Sequence, residues 1–208
     1  DVVDDPAQTR DVSAEHPALV EALRRAYEDW WELCAEQAVR ETPLSVGGEQ
    51  EEACLRTHDI RNELDHAVVW NQAQVRRGES CQGWWEIFAE REGEYAFELR
   101  RWPKEAGHTI AGGIEGADIE FRRDGIDPGA EAMYEGGRAL GYDTACLRVD
   151  DEVERFVRVV KDDRGAVFRV RLAKGGHCVR ARFASADGAY SAAYYVYVRV
   201  RSLLAGGG

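Results

Sequence analysis

Apolar and polar residues alternate between Trp85 and Leu99: Trp85, Ile87 and Ala89, then Tyr95, Phe97 and Leu99, share one parity on either side of an Arg91-Glu92-Gly93 break. A period of two marks a strand with one buried face, so this stretch predicts two antiparallel strands joined as a hairpin. The same period recurs along the rest of the chain. It predicts strands over residues 84–90, 94–102, 144–149, 153–160, 166–173, 178–184 and 194–200, with Gly175-Gly176 and Asp187-Gly188 as turns between the last three. Before residue 43 the period is different. Val20, Leu23, Tyr27, Trp30 and Cys34 recur at spacings of 3, 4, 3 and 4, the stripe of an amphipathic helix entered at Pro17 and running to about Val39. Such a stripe demands burial. Residues 107–142 are rich in Gly and weakly periodic, and read as a long connection with a short helix near residues 130–140. The pattern therefore predicts a mainly β protein in two parts, a helical lead over 1–42 and an antiparallel, jelly-roll-like β-sandwich over 43–208.

Charge changes the picture in the first third only. The formal net charge is −12, and residues 1–66 carry 6 basic against 17 acidic groups, a net of −11 that leaves the remainder close to neutral. An acidic surface of this kind repels phosphate backbones and argues against a nucleic-acid partner. No apolar run approaches the roughly 18 to 20 residues that span a bilayer, and no basic, apolar leader opens the chain, so a soluble protein of open localisation with no membrane partner is expected. The five Cys, at 34, 54, 81, 146 and 178, are scattered without a C-x-x-C pair, which predicts small buried thiols rather than a zinc site or a disulfide framework.

Strand parity also sorts the C-terminal arginines. With Phe168, Val170, Leu172, Val179, Ala181, Phe183, Tyr194, Val196, Val198 and Val200 inward, the opposite faces carry Arg169, Arg171, Arg180 and Arg182 beside Tyr195 and Tyr197. If those strands are neighbours, they form one basic face edged with aromatic rings. Guanidinium forks match planar or trigonal oxyanions, so a sulfated carbohydrate fits this face chemically. The same arginines also fit a solvated face paired with nearby Asp and Glu, their stems covering the sheet. Trp84 and Trp102 fall off the buried parity and can serve as a sugar-stacking platform or as core.

Three segments carry a family resemblance. DVVDDPAQTRDVSAEHPALVEALRRAYEDWW at the start, WNQAQVRRGESCQGWWEIFAEREGEYAFELRRWPK over residues 70–104 and AYYVYVRV near the end together resemble the C-terminal region of bacterial type I, formylglycine-dependent sulfatases. Thr57-His58-Asp59 resembles the family's T-x-H-D element, with Ile60 in place of its usual aromatic, and Trp70-Asn71-Gln72 resembles its WNQ. The resemblance implies that the catalytic sulfatase domain is a missing partner, with formylglycine and a divalent metal such as calcium as the parent's cofactors. This chain itself holds no cofactor on that reading. The residues two places before the five prolines are Asp4, Glu15, Glu41, Arg101 and Ile126, none of them the Cys or Ser that the C/S-x-P-x-R motif requires. No catalytic residue and no metal ligand is assigned, and the chain alone is expected not to hydrolyse aryl sulfates.

The sequence thus supports an accessory domain of a sulfatase-like hydrolase that completes the active-site rim or holds a sulfated carbohydrate. The alternative is a free-standing carbohydrate-binding β-sandwich. A third reading makes His58 and Asp59 the centre of an independent hydrolase, since a carboxylate beside an imidazole can hold one tautomer. The candidate ligand-binding residues are His58, Asp59, Trp70, Asn71, Gln72, Trp84, Trp102, Arg169, Arg171, Arg180 and Arg182.

Overall fold

A computed structural model of the chain describes residues 2–38, 42–62, 68–116, 136–152 and 154–201. The segments with period two become strands in two stacked sheets. One sheet has the order β1-β3-β8-β5-β6, with β9 also paired to β8. Its strands are β1 (Leu44–Val46), β3 (Trp85–Ala89), β5 (Tyr142–Val149), β6 (Arg155–Arg158), β8 (Gly175–Ser185) and β9 (Tyr190–Ala192). The other has the order β2-β10-β4-β7, from β2 (Glu52–Arg56), β4 (Gly93–Arg100), β7 (Ala166–Leu172) and β10 (Tyr195–Val200). All pairs are antiparallel except β1 with β3, which is parallel. Inward residues of both sheets form a single core that includes Trp85, Ile87, Tyr95, Phe97, Leu99, Phe183 and Val196, each fully buried. The molecule is a β-sandwich preceded by one long helix.

Two expected pairings are corrected. Trp85–Ala89 and Gly93–Arg100 do not form a hairpin with each other: β3 pairs with β1 and β8, whereas β4 pairs with β10 and β7. The short link between them crosses from one sheet to the other, and the Tyr95 hydroxyl donates to the Arg91 carbonyl at 2.7 Å to close the crossing. The shared parity reflects two faces meeting across the core rather than two strands side by side. The link after β7 likewise changes sheets. Arg169 and Arg171 consequently lie on one sheet and Arg180 and Arg182 on the other, and the single arginine face expected from the sequence does not exist.

His177 fastens the second crossing. Its Nδ1 lies 2.7 Å from Asp150 Oδ2 and its Nε2 3.0 Å from the Ala173 carbonyl, so both ring nitrogens face acceptors. Burial pulls the imidazole pKa down, but the carboxylate and carbonyl outweigh it and hold the group above its ordinary value. A raised folded pKa means that the stabilisation is complete below the unfolded value of about 6.5 and is lost as pH rises through the folded one. The urea midpoint of the wild type should therefore fall more between pH 6 and pH 8 than that of His177→Gln. Parallel pH slopes for the two proteins would refute the assignment.

The chain divides into two compact units, Asp1–Thr42 and Pro43–Gly208. In the first, α1 (Pro17–Ala38) forms over the predicted span. Within this unit Leu23, Tyr27 and Trp30 of the stripe, with the neighbouring Trp31, are exposed, and Tyr27, Trp30 and Trp31 group at ring separations of 6.0 to 6.5 Å. In the second unit, a short helix, α2 (Gln72–Arg77), was not foreseen. Asn71 Oδ1 accepts from the Gln74 amide and Gln74 Oε1 accepts from the Asn71 amide, a complete capping box, and Gly78 at φ 73° ends the helix in the left-handed region. The helix expected near residues 130–140 lies mainly outside the described residues. Around the described flanks of that connection, Ile114 and Gly137 pair as a bridge and Ile110 is fully buried. Cys81 and Cys146 are buried, and the other three thiols are half-buried.

Candidate functional site

The outer face of the first sheet carries a groove of about 360 Å³ whose floor is β8. Register places its side chains in rows. Arg180 lies opposite Arg148 on β5, Arg182 lies between Cys146 and Ala192, and Ala184 lies between Thr144 and Tyr190. Trp84, just before β3, extends the ladder beside Arg180, and its guanidinium carbon sits 5.3 Å from the Trp84 ring centroid. Arg182 lies over Tyr190 in the same way at 5.4 Å. A strand rise of about 3.3 Å per residue separates the rows of residues 180 and 184 by about 13 Å. In the row between them Arg182 is flanked by the small Cys146 and Ala192, so the groove runs from Trp84 to Tyr190 with guanidinium groups along it.

The walls are held in place. Trp84 exchanges backbone hydrogen bonds with Arg61 at 2.7 and 2.9 Å, and its Nε1 donates to Glu86 Oε1 at 2.6 Å. Gly83 precedes it at φ 149°, where an added Cβ would strike the Arg61 carbonyl, so only glycine lets the two backbones approach. Tyr190 is set by the hairpin between β8 and β9, in which Asp187 Oδ1 accepts from Ser185 Oγ and from the Ala189 amide.

Charge in the groove is unbalanced. Arg182 is the one groove arginine with a carboxylate, Glu154, at 2.7 Å, and although burial opposes its charge the carboxylate raises its pKa. Arg180 donates to the Cys178 sulfur at 3.3 Å, and among the described residues neither Arg180 nor Arg148 is paired with a carboxylate. The Nε atoms of Arg148 and Arg182 are buried without a hydrogen-bond partner. Like charges directly opposite each other on neighbouring strands are destabilising, and unpartnered buried donors add to that cost. An oxyanion between the guanidinium groups would relieve both.

The remaining sequence candidates fall elsewhere. Arg169 and Arg171 are exposed on the second sheet, with Arg171 bound to Glu92 at 2.7 Å and Arg169 at 4.0 Å from Glu94, so for them the solvated, ion-paired reading holds. Trp102 is corrected from ligand platform to core: it is 2 % exposed, with Arg101 over its ring at 4.4 Å and His108 edge-on at 5.6 Å. Asn71 caps α2, and Gln72 Nε2 donates to the Tyr195 hydroxyl at 2.5 Å. His58 and Asp59 sit exposed on one turn of 3₁₀ helix with no hydrogen bond joining them, which removes the basis for a hydrolytic dyad. Trp70 is 62 % exposed. His58, Trp70, Asn71 and Gln72 do line one second pocket. Among the described residues no cluster of three or more His, Cys, Asp or Glu is placed to hold a metal, and no helix is long and apolar enough to cross a membrane.

Comparison with known proteins gives no family: no family model and no curated protein matches the chain. Solved structures give distant likenesses. A CBM35 module from Cellvibrio japonicus Abf62 aligns at a TM-score of 0.36 and 12 % identity, over 71 % of this chain and 91 % of that one. A ruminal GH26 endo-β-1,4-mannanase aligns at 0.37 and 11 % over 74 % of this chain and 26 % of its own, and a Podospora anserina GH26-CBM35 β-(1,4)-mannanase at 0.37 and 10 % over 73 % and 28 %. Likeness at this level says nothing of ligand or activity.

Proposed function

We propose that the β-sandwich is a binding module for an acidic saccharide, held in the groove between Trp84 and Tyr190. The observation that carries this reading is the cross-strand pair Arg148 and Arg180, directly opposite in register and both lining the groove, with no carboxylate paired to either among the described residues. A carboxylated or sulfated sugar supplies the missing oxyanion, and its ring has aromatic walls to pack against. On the resemblance to sulfatase C-terminal regions, the module accompanies a sulfatase domain and its acidic group is a sulfate ester. As a free-standing module it would recognise either anion.

Calorimetry at low ionic strength with a heparin-derived hexasaccharide and with hexagalacturonate separates these ligands. At least one should bind, and binding should weaken from 0.01 to 0.1 M salt as the Debye length contracts from about 30 to about 10 Å. Trp84→Ala should lower the affinity about tenfold, equivalent to about 1.4 kcal/mol. Silence from both acidic hexamers, or binding indifferent to Trp84→Ala, would sink the proposal.

A further inference from the structure

The second pocket joins residues from four parts of the chain. Thr57, 4 % exposed, donates its amide to the Tyr194 carbonyl at 3.2 Å and its hydroxyl to the Val69 carbonyl at 2.6 Å. One buried threonine therefore ties together the backbones that carry His58, Trp70 and Tyr195, each adjacent in sequence to one of the three tied residues. Around them stand Arg56 from β2, Tyr197 from β10 and Glu105 from the turn after β4.

Several polar groups there are held in place. The Trp70 amide is held by Gln74 Oε1 at 2.8 Å, the Tyr195 hydroxyl by Gln72, and the Tyr197 hydroxyl accepts from the Lys104 amide at 3.1 Å while the Lys104 ammonium lies 4.3 Å from the Tyr197 ring centroid. The indole of Trp70 stays 62 % exposed, although its backbone is anchored on both sides. A large, rigidly mounted aromatic surface left in water beside hydroxyls is the usual build of a stacking site. The charge here differs from that in the groove. Arg56 and Glu105 are the charged residues that line it, with Asp59 acting on Arg56 from outside the lining; burial first, and the Glu105 carboxylate behind it, raise the pKa of Tyr195 and Tyr197. With one cation against one anion, the pocket offers a hydrogen-bonding donor and acceptor without excess charge, which suits a neutral ligand rich in hydroxyls.

We propose that this pocket is a second saccharide site, in which a neutral hexopyranose unit stacks on Trp70 and its hydroxyls bridge Arg56 and Glu105. The site is independent of the arginine groove, which lies on the other sheet, and the chain is then a two-site module. The test is calorimetry and tryptophan fluorescence of the full chain with cellohexaose, laminarihexaose and maltohexaose at millimolar concentration. At least one neutral hexamer should bind and shift the indole emission. Trp70→Ala should reduce that affinity about tenfold. Trp70→Phe should recover most of it, and Arg148→Gln should leave it unchanged. Because Trp70 is largely exposed, its truncation leaves the fold intact, which the melting midpoint verifies. No response to any of the three hexamers, or binding unaltered in Trp70→Ala, overturns the proposal. Loss of neutral binding in Arg148→Gln would also overturn it, because the signal would then belong to the groove.

Discussion

Replacing Arg101 by Met should destabilise the sandwich by about 2 to 6 kcal/mol, about 1 to 3 for each of the Gly112 and Arg138 carbonyls that lose their donor. Arg101 is fully buried, and among the described residues its guanidinium meets no carboxylate. Its partners are backbone carbonyls: Gly112 at 3.0 Å, Arg138 at 2.5 Å, and Val75 and Arg76 at 3.4 and 3.5 Å. The last two belong to the C-terminal end of α2, where they also accept from the Gly78 amide at 3.2 Å and the Arg138 amide at 2.7 Å, and the helix dipole there favours a cation. One side chain thus fastens the helix end and both described flanks of the long connection to β4. Burial lowers its pKa to about 10, which leaves it charged at neutral pH. Arg101→Lys should rescue little, since a single ammonium cannot span carbonyls on three segments. Urea denaturation checks the value, and a loss below about 1 kcal/mol would show that those carbonyls find other donors.

Strand faces were legible in the sequence because burial of one face imposes a period of two. The inward assignments for β7, β8 and β10, from Phe168 to Val200, are all buried. Tyr197, placed on the opposite face, is also buried, covered by Lys104. Pairing was not legible. β3 and β4 are a few residues apart yet belong to different sheets, and the choice between hairpin and crossing depends on long-range partners that periodicity does not encode. β1 and β9 have three residues each, too few to show a period. The helical stripe of α1 was legible as spacings of 3 and 4, and the helix forms over that span.

The candidate site was half visible. Trp84, Arg180 and Arg182 were found from parity and composition. Arg148 and Tyr190 were missed because their roles follow from the register of β5 and β9 on β8, and Glu154 because it is brought in by the pairing of β6 with β5. The capping box was in plain sight, Asn71 followed three residues later by Gln74, but the WNQ resemblance drew Asn71 toward a ligand role. The second pocket was partly legible for the same reason: His58 and Trp70 were singled out, while Thr57, which joins them, carries no signal beyond an ordinary threonine.

The central claim is that Arg148 and Arg180 are kept side by side for an external oxyanion and not for the fold. Relieving a cross-strand repulsion worth about 0.2 to 1 kcal/mol, together with removing a buried, unpartnered Nε, should make Arg148→Gln as stable as the wild type or more so. The same change removes a charge-assisted contact of about 1.5 to 3 kcal/mol and should weaken acidic-saccharide binding by about tenfold to a hundredfold. Melting midpoint and calorimetric affinity, measured on one preparation of Arg148→Gln beside wild type, test this directly. The account predicts a midpoint unchanged or raised by about 1 to 3 °C with affinity for the acidic hexamer largely lost. A midpoint lowered by several degrees with affinity unchanged would contradict it and make Arg148 part of the scaffold.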